Sequence, residues 1–205
     1  MQSSSRLEQT QFFVEHQSTT FQYTDWEHID DGYLNQKMIG DVVGDFFFVC
    51  PSNYFAMQYA EHGNQVYYYY FNHVSIKSYI APLTSTPQRT SSNPWGDWMG
   101  VLHGDEIDYV FGNPLNKSRR YTEDEAELSR RIMQHYGNFA RHGTPVYNVS
   151  ESWPTYNRNE PQYYIWNGNI RGTGEGPRAT QCAFWNEFVP MLRKENRTGE
   201  AVVGT

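Results

Sequence analysis

Two cysteines, Cys50 and Cys182, are the only ones among the 205 residues of this chain. If they pair, the bond closes a loop of roughly 130 residues and adds about 4 to 5 kcal/mol of stability in the chain-entropy model. Such a bond would bring residues 50 and 182 together in the fold, although most of the chain lies between them. The alternative is a pair of free thiols buried as small apolar side chains. The sequence by itself leaves both open.

The spacing of apolar residues predicts several helices and two strands, and no second domain boundary is found, so a single domain is expected. Apolar residues recur at helical spacing within residues 31–47 and 50–62, and again within 181–192, which predicts three helices. Aromatic and β-branched residues dominate 65–71, which predicts a buried strand, and a shorter strand is expected at 162–166. We interpret the first strand as a buried strand of a central sheet.

The clearest helix prediction covers residues 122–141. Thr122 and Glu125 have the spacing of a capping box at its start, and residues 143–145, Gly-Thr-Pro, follow its end. One face carries an apolar stripe of Leu128, Ile132, Tyr136 and Phe139. Two loops are also expected. Residues 81–94 are rich in Pro, Ser and Thr, and residues 168–177 contain four glycines.

Charge and composition exclude several classes of protein. The net charge of -7 argues against a nucleic-acid partner and favours a cationic ligand. No run of apolar residues is long enough to predict a membrane span. Glycosylation sequons begin at Asn116, Asn148 and Asn196, which indicates a secreted protein. Since residues 1–6 lack the apolar core of a signal peptide, we expect the chain to be part of a longer extracellular protein.

His103 is the strongest candidate for a catalytic group. It lies between Gly100 and Gly104, in a pattern that can present an imidazole on a tight loop. An ordinary loop histidine is the alternative. Asp105 and Glu106 are poor candidates for the carboxylate that orients a histidine base, because they follow it so closely on the same loop. No Gly-x-Ser-x-Gly motif occurs in the chain, so a serine nucleophile is missing.

The other six histidines give weaker signals. His73, just after the first predicted strand, fits either a buried structural residue or a base at a strand end. The remaining five are expected to be solvated residues in polar or helix-end settings: His16, His28, His62, His135 and His142. No His-x-x-x-His spacing accompanies His103, so no metal site is predicted, and no cofactor is implied.

Five segments, in order, resemble the C-terminal part of the cholinesterase family. They are residues 23–26, 41–51, 98–107, 109–112 and 181–186. The resemblance implies the C-terminal portion of an α/β-hydrolase fold, in which helices flank a central, mostly parallel sheet and the N-terminal part precedes this chain. In that fold the catalytic serine and the acid come before the histidine along the chain. Both would therefore lie upstream of Met1.

The same resemblance assigns roles around the histidine. His103 matches the family's general acid and base, which takes the serine proton and returns it to the leaving group. Trp95 matches a tryptophan that lines the substrate gorge, and Trp98 its packing neighbour. Glu106 matches a buried glutamate beneath the site, and Ile107 a neighbouring packing position.

Asp105 stands where vertebrate members usually have Tyr and invertebrate members Asp, which points to an arthropod-type protein. Residues 74–94 form a longer connection than is usual in the family, so the gorge wall is expected to differ there.

Other matches concern structure and assembly. Cys50 and Cys182 match a family disulfide, and Asp45 and Arg178 an ion pair beside it. The family dimerises through a bundle that includes its last helix, which makes Phe184, Phe188 and Leu192 candidate contacts, although core packing explains them equally well. Residues 194–205 are expected to form a flexible tail.

The implied reaction of the whole protein is hydrolysis of a choline ester, such as acetylcholine, through an acyl-serine intermediate. This chain by itself is expected to be inactive, because it lacks the serine and the acid. Two alternatives stay open. One is an adhesion protein of the neuroligin or neurotactin type, which keeps the fold without the triad, and the other is a carboxylesterase with broad specificity.

Overall fold

The computed structural model describes residues 2–75, 100–146 and 151–198. Its α-helices are Gln2–Tyr23 (α1), Gly32–Gly44 (α2), Cys50–Glu61 (α3), Glu106–Val110 (α4), Glu123–His142 (α5), Ala179–Ala183 (α6) and Val189–Thr198 (α7). Two π-helical turns, Asp45–Val49 and Phe184–Phe188, and two 3₁₀ turns, Asn113–Leu115 and Lys117–Arg119, complete the helical elements of these ranges. The strands are Tyr69–Phe71 (β1), Gln162–Trp166 (β2) and Thr173–Glu175 (β3).

The chain divides into two compact units. The first combines the N-terminal stretch as far as Phe55 with the chain from Arg178 onwards, and the second holds Ala56–Pro177. We predicted one domain from the sequence, and that remains a prediction. No helix within the described ranges is both long and apolar enough to cross a bilayer.

In the first unit, a disulfide joins Cys50 to Cys182, 132 positions along the chain. Asn186 reinforces this link, because its side-chain amide donates to the Cys50 carbonyl at 2.9 Å. Cys50 directly follows the π-helical turn that ends at Val49, and Cys182 lies two residues before the turn that begins at Phe184. The pairing implied by the family resemblance is therefore present, and the alternative of free thiols is wrong.

The second unit contains a three-stranded sheet in the order β1-β2-β3. Strands β1 and β2 are parallel, with Tyr69 opposite Tyr164, while β2 and β3 are antiparallel. Helix α5 packs on this sheet, and the buried core is Tyr109, Leu128, Ile132, Trp153, Tyr164 and Trp166. The expected α/β class is thus present in part, as a small mixed sheet with helices rather than a large parallel sheet.

Helix α5 agrees closely with its sequence signals. Thr122 caps its first turn, since its hydroxyl accepts from the Glu125 amide at 3.2 Å and the Glu125 carboxylate accepts from the Thr122 amide at 2.7 Å. Gly143 ends the helix with φ of 71°, a left-handed conformation that glycine adopts without strain. The predicted capping box is confirmed.

Other predictions of local structure were less accurate. Helix α1 was not predicted, because residues 2–23 show no regular apolar stripe, although they contain no glycine or proline to interrupt a helix. Strand β1 covers three of the seven residues predicted as strand, and β3 occupies part of the predicted loop 168–177. Helix α7 runs to Thr198, through the first residues of the predicted tail, and residues 199–205 lie outside the described ranges.

Candidate functional site

His103 lies at the exposed tip of a tight turn that leads into α4. Gly100 and Gly104 have φ of 66° and 92°, values that side-chain-bearing residues rarely adopt. The Asp105 carboxylate accepts from the Leu102 amide at 2.8 Å, and the Asp105 amide donates to the Leu102 carbonyl at 3.2 Å. This pair of bonds closes the turn around the histidine and fixes its backbone.

The residues that follow His103 have different environments. Asp105 acts on the backbone of the turn, which agrees with its exclusion as the group that orients the imidazole. Glu106 begins α4 and is half-buried. Burial and a hydrogen bond from Tyr136 are the larger causes that raise the pKa of Tyr69, and the negative charge of Glu106 adds to them. Ile107, expected at a packing position, is 53% exposed. Trp95 and Trp98 lie outside the described residues.

A buried polar cluster holds α4 in place. Tyr109, on α4, donates its hydroxyl to the Glu125 carboxylate at 3.2 Å, and the Ser75 hydroxyl donates to the same oxygen at 2.9 Å. Ser129 also donates to the Tyr109 carbonyl at 2.7 Å. Glu125 and Tyr109 are each 1% exposed. The helix that follows the His103 turn is therefore fixed to α5 by charge-assisted hydrogen bonds.

The Glu125 carboxylate carries most of this cluster. One oxygen serves Tyr109 and Ser75, and the other accepts from the amide and the hydroxyl of Thr122 at 2.7 and 3.0 Å. Sequence reasoning assigned Glu125 only to the capping box. Its second role was not found, because its partners on α4 and after β1 are distant in the sequence.

Replacing Glu125 with Gln should lower the free energy of unfolding by about 2 to 3 kcal/mol. Gln has the size of Glu, but it lacks the negative charge. Its NH₂ group is also a donor that faces groups of the cluster which are themselves donors. The matched control is Glu127→Gln on the exposed face of α5, where an ion pair with Arg130 contributes at most about 1 kcal/mol. Urea unfolding at pH 7 makes the comparison. Equal midpoints for the two variants would contradict this account of the cluster.

His73 packs against the same cluster and is 7% exposed. The Gly168 amide donates to its Nδ1 at 3.2 Å, so a neutral ring carries its proton on Nε2, which lies 3.6 Å from a Glu125 oxygen. A side chain on residue 168 would make a tight contact with this ring, since a Cβ there would lie 3.0 Å from Cε1, and the ring would have to shift by a few tenths of an ångström. The sequence left two interpretations of His73 open, a buried structural residue and a base at a strand end. These contacts favour the buried structural residue.

His135 corrects one sequence expectation, because it is buried rather than solvated. It is 4% exposed and packs between the rings of Trp153, Tyr164 and Trp166. The indole N–H of Trp166 donates to Nδ1 at 3.3 Å, which leaves Nε2 to donate to Glu151 at 3.3 Å. The expectation that His135 is solvated was wrong because its apolar neighbours lie in β2 and in the segment before β2. They are distant from His135 in the sequence and do not belong to its own helix.

The environment of His135 should make stability depend on pH. Burial lowers the pKa of His135 below its ordinary value of 6.5, although Glu151 opposes this effect. Burial acts to raise the pKa of Glu151, but hydrogen bonds from Tyr164 and His135 outweigh it and keep that pKa below 4.5. The unfolded chain therefore takes up a proton below about pH 6.5 that the folded chain excludes. Stability from His135 is complete above that pH and falls below it, and the Glu151 contribution falls below about pH 4.5.

We expect the free energy of unfolding to fall between pH 7 and pH 5, with His135 contributing at most about 1.4 kcal/mol per pH unit. His135→Gln should flatten this dependence, because Gln does not titrate. His16→Gln is the control, since His16 is exposed on α1. Urea unfolding at several pH values measures the slopes, and an unchanged slope in His135→Gln would refute the assignment.

The predicted partners Asp45 and Arg178 form an ion pair in the first unit. The Arg178 guanidinium donates to both Asp45 oxygens, at 2.9 Å from Nε and 2.5 Å from Nη2, and Asp45 is 2% exposed. The Tyr23 hydroxyl also donates to Asp45, at 2.8 Å. The hydrogen bond with Asp45 raises the pKa of Arg178. Arg178 has φ of 58°, so this ion pair holds a strained backbone at the start of α6.

Comparisons with known proteins identify the family. A model of the Carboxylesterase family matches residues 5–185, so the chain belongs to the carboxylesterase family. It is 52% identical over 188 residues to Acetylcholinesterase of Leptinotarsa decemlineata, covering 92% of this chain and 27% of that protein. Acetylcholinesterases of Bungarus fasciatus and Gallus gallus are 42% and 40% identical over 177 and 184 residues, covering 85% and 89% of this chain and 27% and 22% of those proteins. The resemblance to cholinesterases is confirmed.

The chain spans about a quarter of the length of the curated relatives it matches. The 205-residue sequence contains no Gly-x-Ser-x-Gly motif, in which α/β-hydrolases place their nucleophilic serine.

Proposed function

We propose that this sequence supplies the catalytic histidine of a serine esterase that hydrolyses choline esters through an acyl-serine intermediate. The observation that carries the proposal is the exposed His103 on a turn closed by Asp105, in a chain 52% identical to a relative called Acetylcholinesterase. His103 acts as general base toward the serine and then as general acid toward the leaving alcohol. Trp95 contributes a ring face to the choline group, and Trp98 packs beside it. Glu106 and Ile107 support the site from the start of α4.

A chimera tests this proposal. The 188 aligned residues of the Leptinotarsa relative are replaced with this sequence, and the purified product is assayed with acetylthiocholine and with a neutral naphthyl ester. We expect hydrolysis of both, with the choline ester preferred, and no turnover by the 205-residue chain alone. A folded chimera that cleaves only the naphthyl ester would instead support a broad carboxylesterase. A folded chimera that cleaves neither ester would support an adhesion protein. Either of these two outcomes would refute the proposal.

We further propose that the protein is extracellular. A disulfide that persists favours an oxidising compartment. Asn116 is exposed, and its side-chain oxygen accepts from the amide and the hydroxyl of Ser118 at 3.1 and 2.8 Å, so its sequon lies in an open turn. Asn148 lies outside the described residues, and Asn196 falls within α7.

Secretion from insect cells should attach a glycan to Asn116. Treatment with a glycosidase that removes N-linked glycans should then reduce the mass of the wild-type chain, and Asn116→Gln should lose one glycan. Asn159 is exposed and lies outside any sequon, so Asn159→Gln serves as the control. An Asn116→Gln chain with the same glycan mass as the wild type would show that this sequon is unused.

Self-association through the last helix is a further part of the proposal. Phe188 and Met191 are 43% and 57% exposed and, with Phe21 and Trp26, line an open groove of about 730 Å³ within the first unit. Leu192 is half-buried. Phe184 is 7% exposed, so core packing accounts for that residue. Sedimentation velocity tests this: Phe188→Ser should weaken a dimer, and an unchanged dimer would exclude this face.

A further inference from the structure

The sequence contains one Asn-Gly pair, Asn167–Gly168, and it directly follows β2. Asparagine is chemically labile, and it deamidates most readily before glycine, which has no Cβ to shield its amide nitrogen. Both residues are half-buried in the second unit. Nothing in the proposed esterase reaction uses them. The pair is a candidate modification site whose reactivity depends on the contacts that the fold gives it.

Deamidation of such a pair needs water but no enzyme or cofactor. The Gly168 amide loses its proton, and its nitrogen attacks Cγ of the Asn167 side chain. The new N–C bond closes a succinimide ring, while the bond from Cγ to the side-chain nitrogen breaks and that nitrogen leaves as ammonia with the released proton. Water then opens the ring and gives aspartate or isoaspartate. The carboxamide must therefore be able to turn toward an accessible Gly168 nitrogen.

Hydrogen bonds hold the Asn167 carboxamide at both of its polar atoms. Its Nδ2 donates to the carbonyl and the side-chain oxygen of Asn72, at 3.2 and 2.9 Å. Its Oδ1 accepts from the amides of Asn169 and Ile170, at 2.8 and 3.2 Å. A turn of the carboxamide toward the Gly168 nitrogen would break these bonds together. The fold thus restrains the group that must be attacked.

The Gly168 nitrogen is engaged as well. Its N–H donates to Nδ1 of His73 at 3.2 Å, and His73 is 7% exposed. The Arg131 guanidinium donates to the Asn167 carbonyl at 2.7 Å, so both ends of this peptide group are held. A cation on the carbonyl makes the N–H more acidic, which by itself would favour the attack. Protection must therefore come from the restrained geometry.

We propose that Asn167 is a deamidation site that the folded chain protects and the unfolded chain exposes. Unfolding removes the bonds to Asn72 and His73, and the Asn-Gly pair then reacts. The product cannot restore the native contacts, because a carboxylate has no N–H to donate and would place its charge beside the Asn72 oxygens. Isoaspartate also lengthens the backbone of this turn. Time spent unfolded therefore converts the chain into a form that refolds less well.

Peptide mass spectrometry with detection of isoaspartate tests the protection. The 205-residue chain, with its disulfide intact, is incubated at pH 7 in buffer and in guanidinium chloride. We expect deamidation of Asn167 to be at least about tenfold slower in the folded chain, because the reaction requires local opening. Asn159, which is exposed and precedes Glu160, is the internal reference. Equal rates for Asn167 in the two states, or a faster reaction in the folded chain, would overturn the proposal.

Variants assign the protection to these contacts. Asn72→Ala removes one acceptor of the carboxamide and His73→Leu removes the acceptor of the Gly168 N–H, so each should speed deamidation of the folded chain at least about threefold. Asn138→Ala is the control, since it breaks a bond to the Pro145 carbonyl elsewhere in the unit. It should change the rate less than about twofold, because distant sites act independently. Equal acceleration in Asn138→Ala, or none in Asn72→Ala, would refute the assignment.

Asn167→Asp tests the consequence of the modification directly. It should shift the urea midpoint of unfolding to a lower concentration, because the donor to Asn72 is lost and a charge is placed there. Asn159→Asp makes the same chemical change at an exposed position and should leave the midpoint unchanged. A midpoint for Asn167→Asp equal to that of Asn159→Asp would contradict the proposed loss of refolding.

Discussion

Replacing His103 with Gln in the chimera is expected to lower kcat/KM for acetylthiocholine by at least about 10⁴-fold. Gln keeps a polar side chain on the turn but cannot take a proton from a serine hydroxyl at neutral pH. The backbone should persist, because Asp105 and the two glycines of positive φ close the turn without help from the imidazole. KM should change much less than kcat, since the loss is confined to the transition state.

The control for this variant is His62→Gln. His62 is also exposed, but it lies at the end of α3 rather than beside α4. It should leave both kinetic constants within about twofold. Near-UV circular dichroism establishes that the two chimeras share one fold. If His103→Gln retained more than about a tenth of the activity, the role proposed for His103 would be wrong.

Removal of the disulfide gives the largest expected effect on stability. Replacing Cys50 and Cys182 with Ala should lower the free energy of unfolding by about 4 to 5 kcal/mol, because the unfolded chain regains the freedom of a closed loop. The loop spans 132 positions, so it lies at the long end of the range where this entropy is large. Chemical unfolding of the purified chain measures the difference.

Two comparisons identify the cause of that loss. Reduction of the wild-type chain should produce the same decrease as the double substitution, since both remove the crosslink. Asn53→Ala serves as the control, because Asn53 touches the Cys182 sulfur at 3.3 Å and its removal leaves the crosslink intact. It should cost about 1 kcal/mol. A crosslink contribution below that of Asn53 would contradict the loop-entropy account.

Local signals predicted much of the fold. The capping residues of α5 and its apolar stripe located that helix within one residue, because caps and amphipathic spacing act over short distances. Helix α1 lacks such a stripe and was missed. Strand β3 was missed because its three residues, Thr173–Glu175, include a glycine and depend on pairing with β2.

The site was predicted unevenly for a similar reason. The glycines around His103 indicated a tight turn, and turns are encoded locally. The contact between Glu125 and Tyr109 joins residues 16 positions apart, and that between Ser75 and Glu125 joins residues 50 apart. A carboxylate on an amphipathic helix carries no local sign that it will be buried by distant partners. Such clusters become visible only when the packing of the elements is known.

The π-helical turn Asp45–Val49 sets the direction in which Cys50 faces. In a continuous α-helix each residue advances by 100°, and a π-turn accommodates one additional residue without advancing the α-helical register that follows. Deleting one residue from this turn would therefore leave a regular helix from α2 into α3, while it displaced Asp45 relative to Cys50 by one position. Asp45 forms an ion pair with Arg178, and Cys50 forms the disulfide with Cys182. Both contacts can form together only if the separation of Asp45 and Cys50 matches that of Arg178 and Cys182. The additional residue of the π-turn thus sets the spacing between the ion pair and the disulfide. We expect the fold to tolerate single-residue deletions least well within this turn.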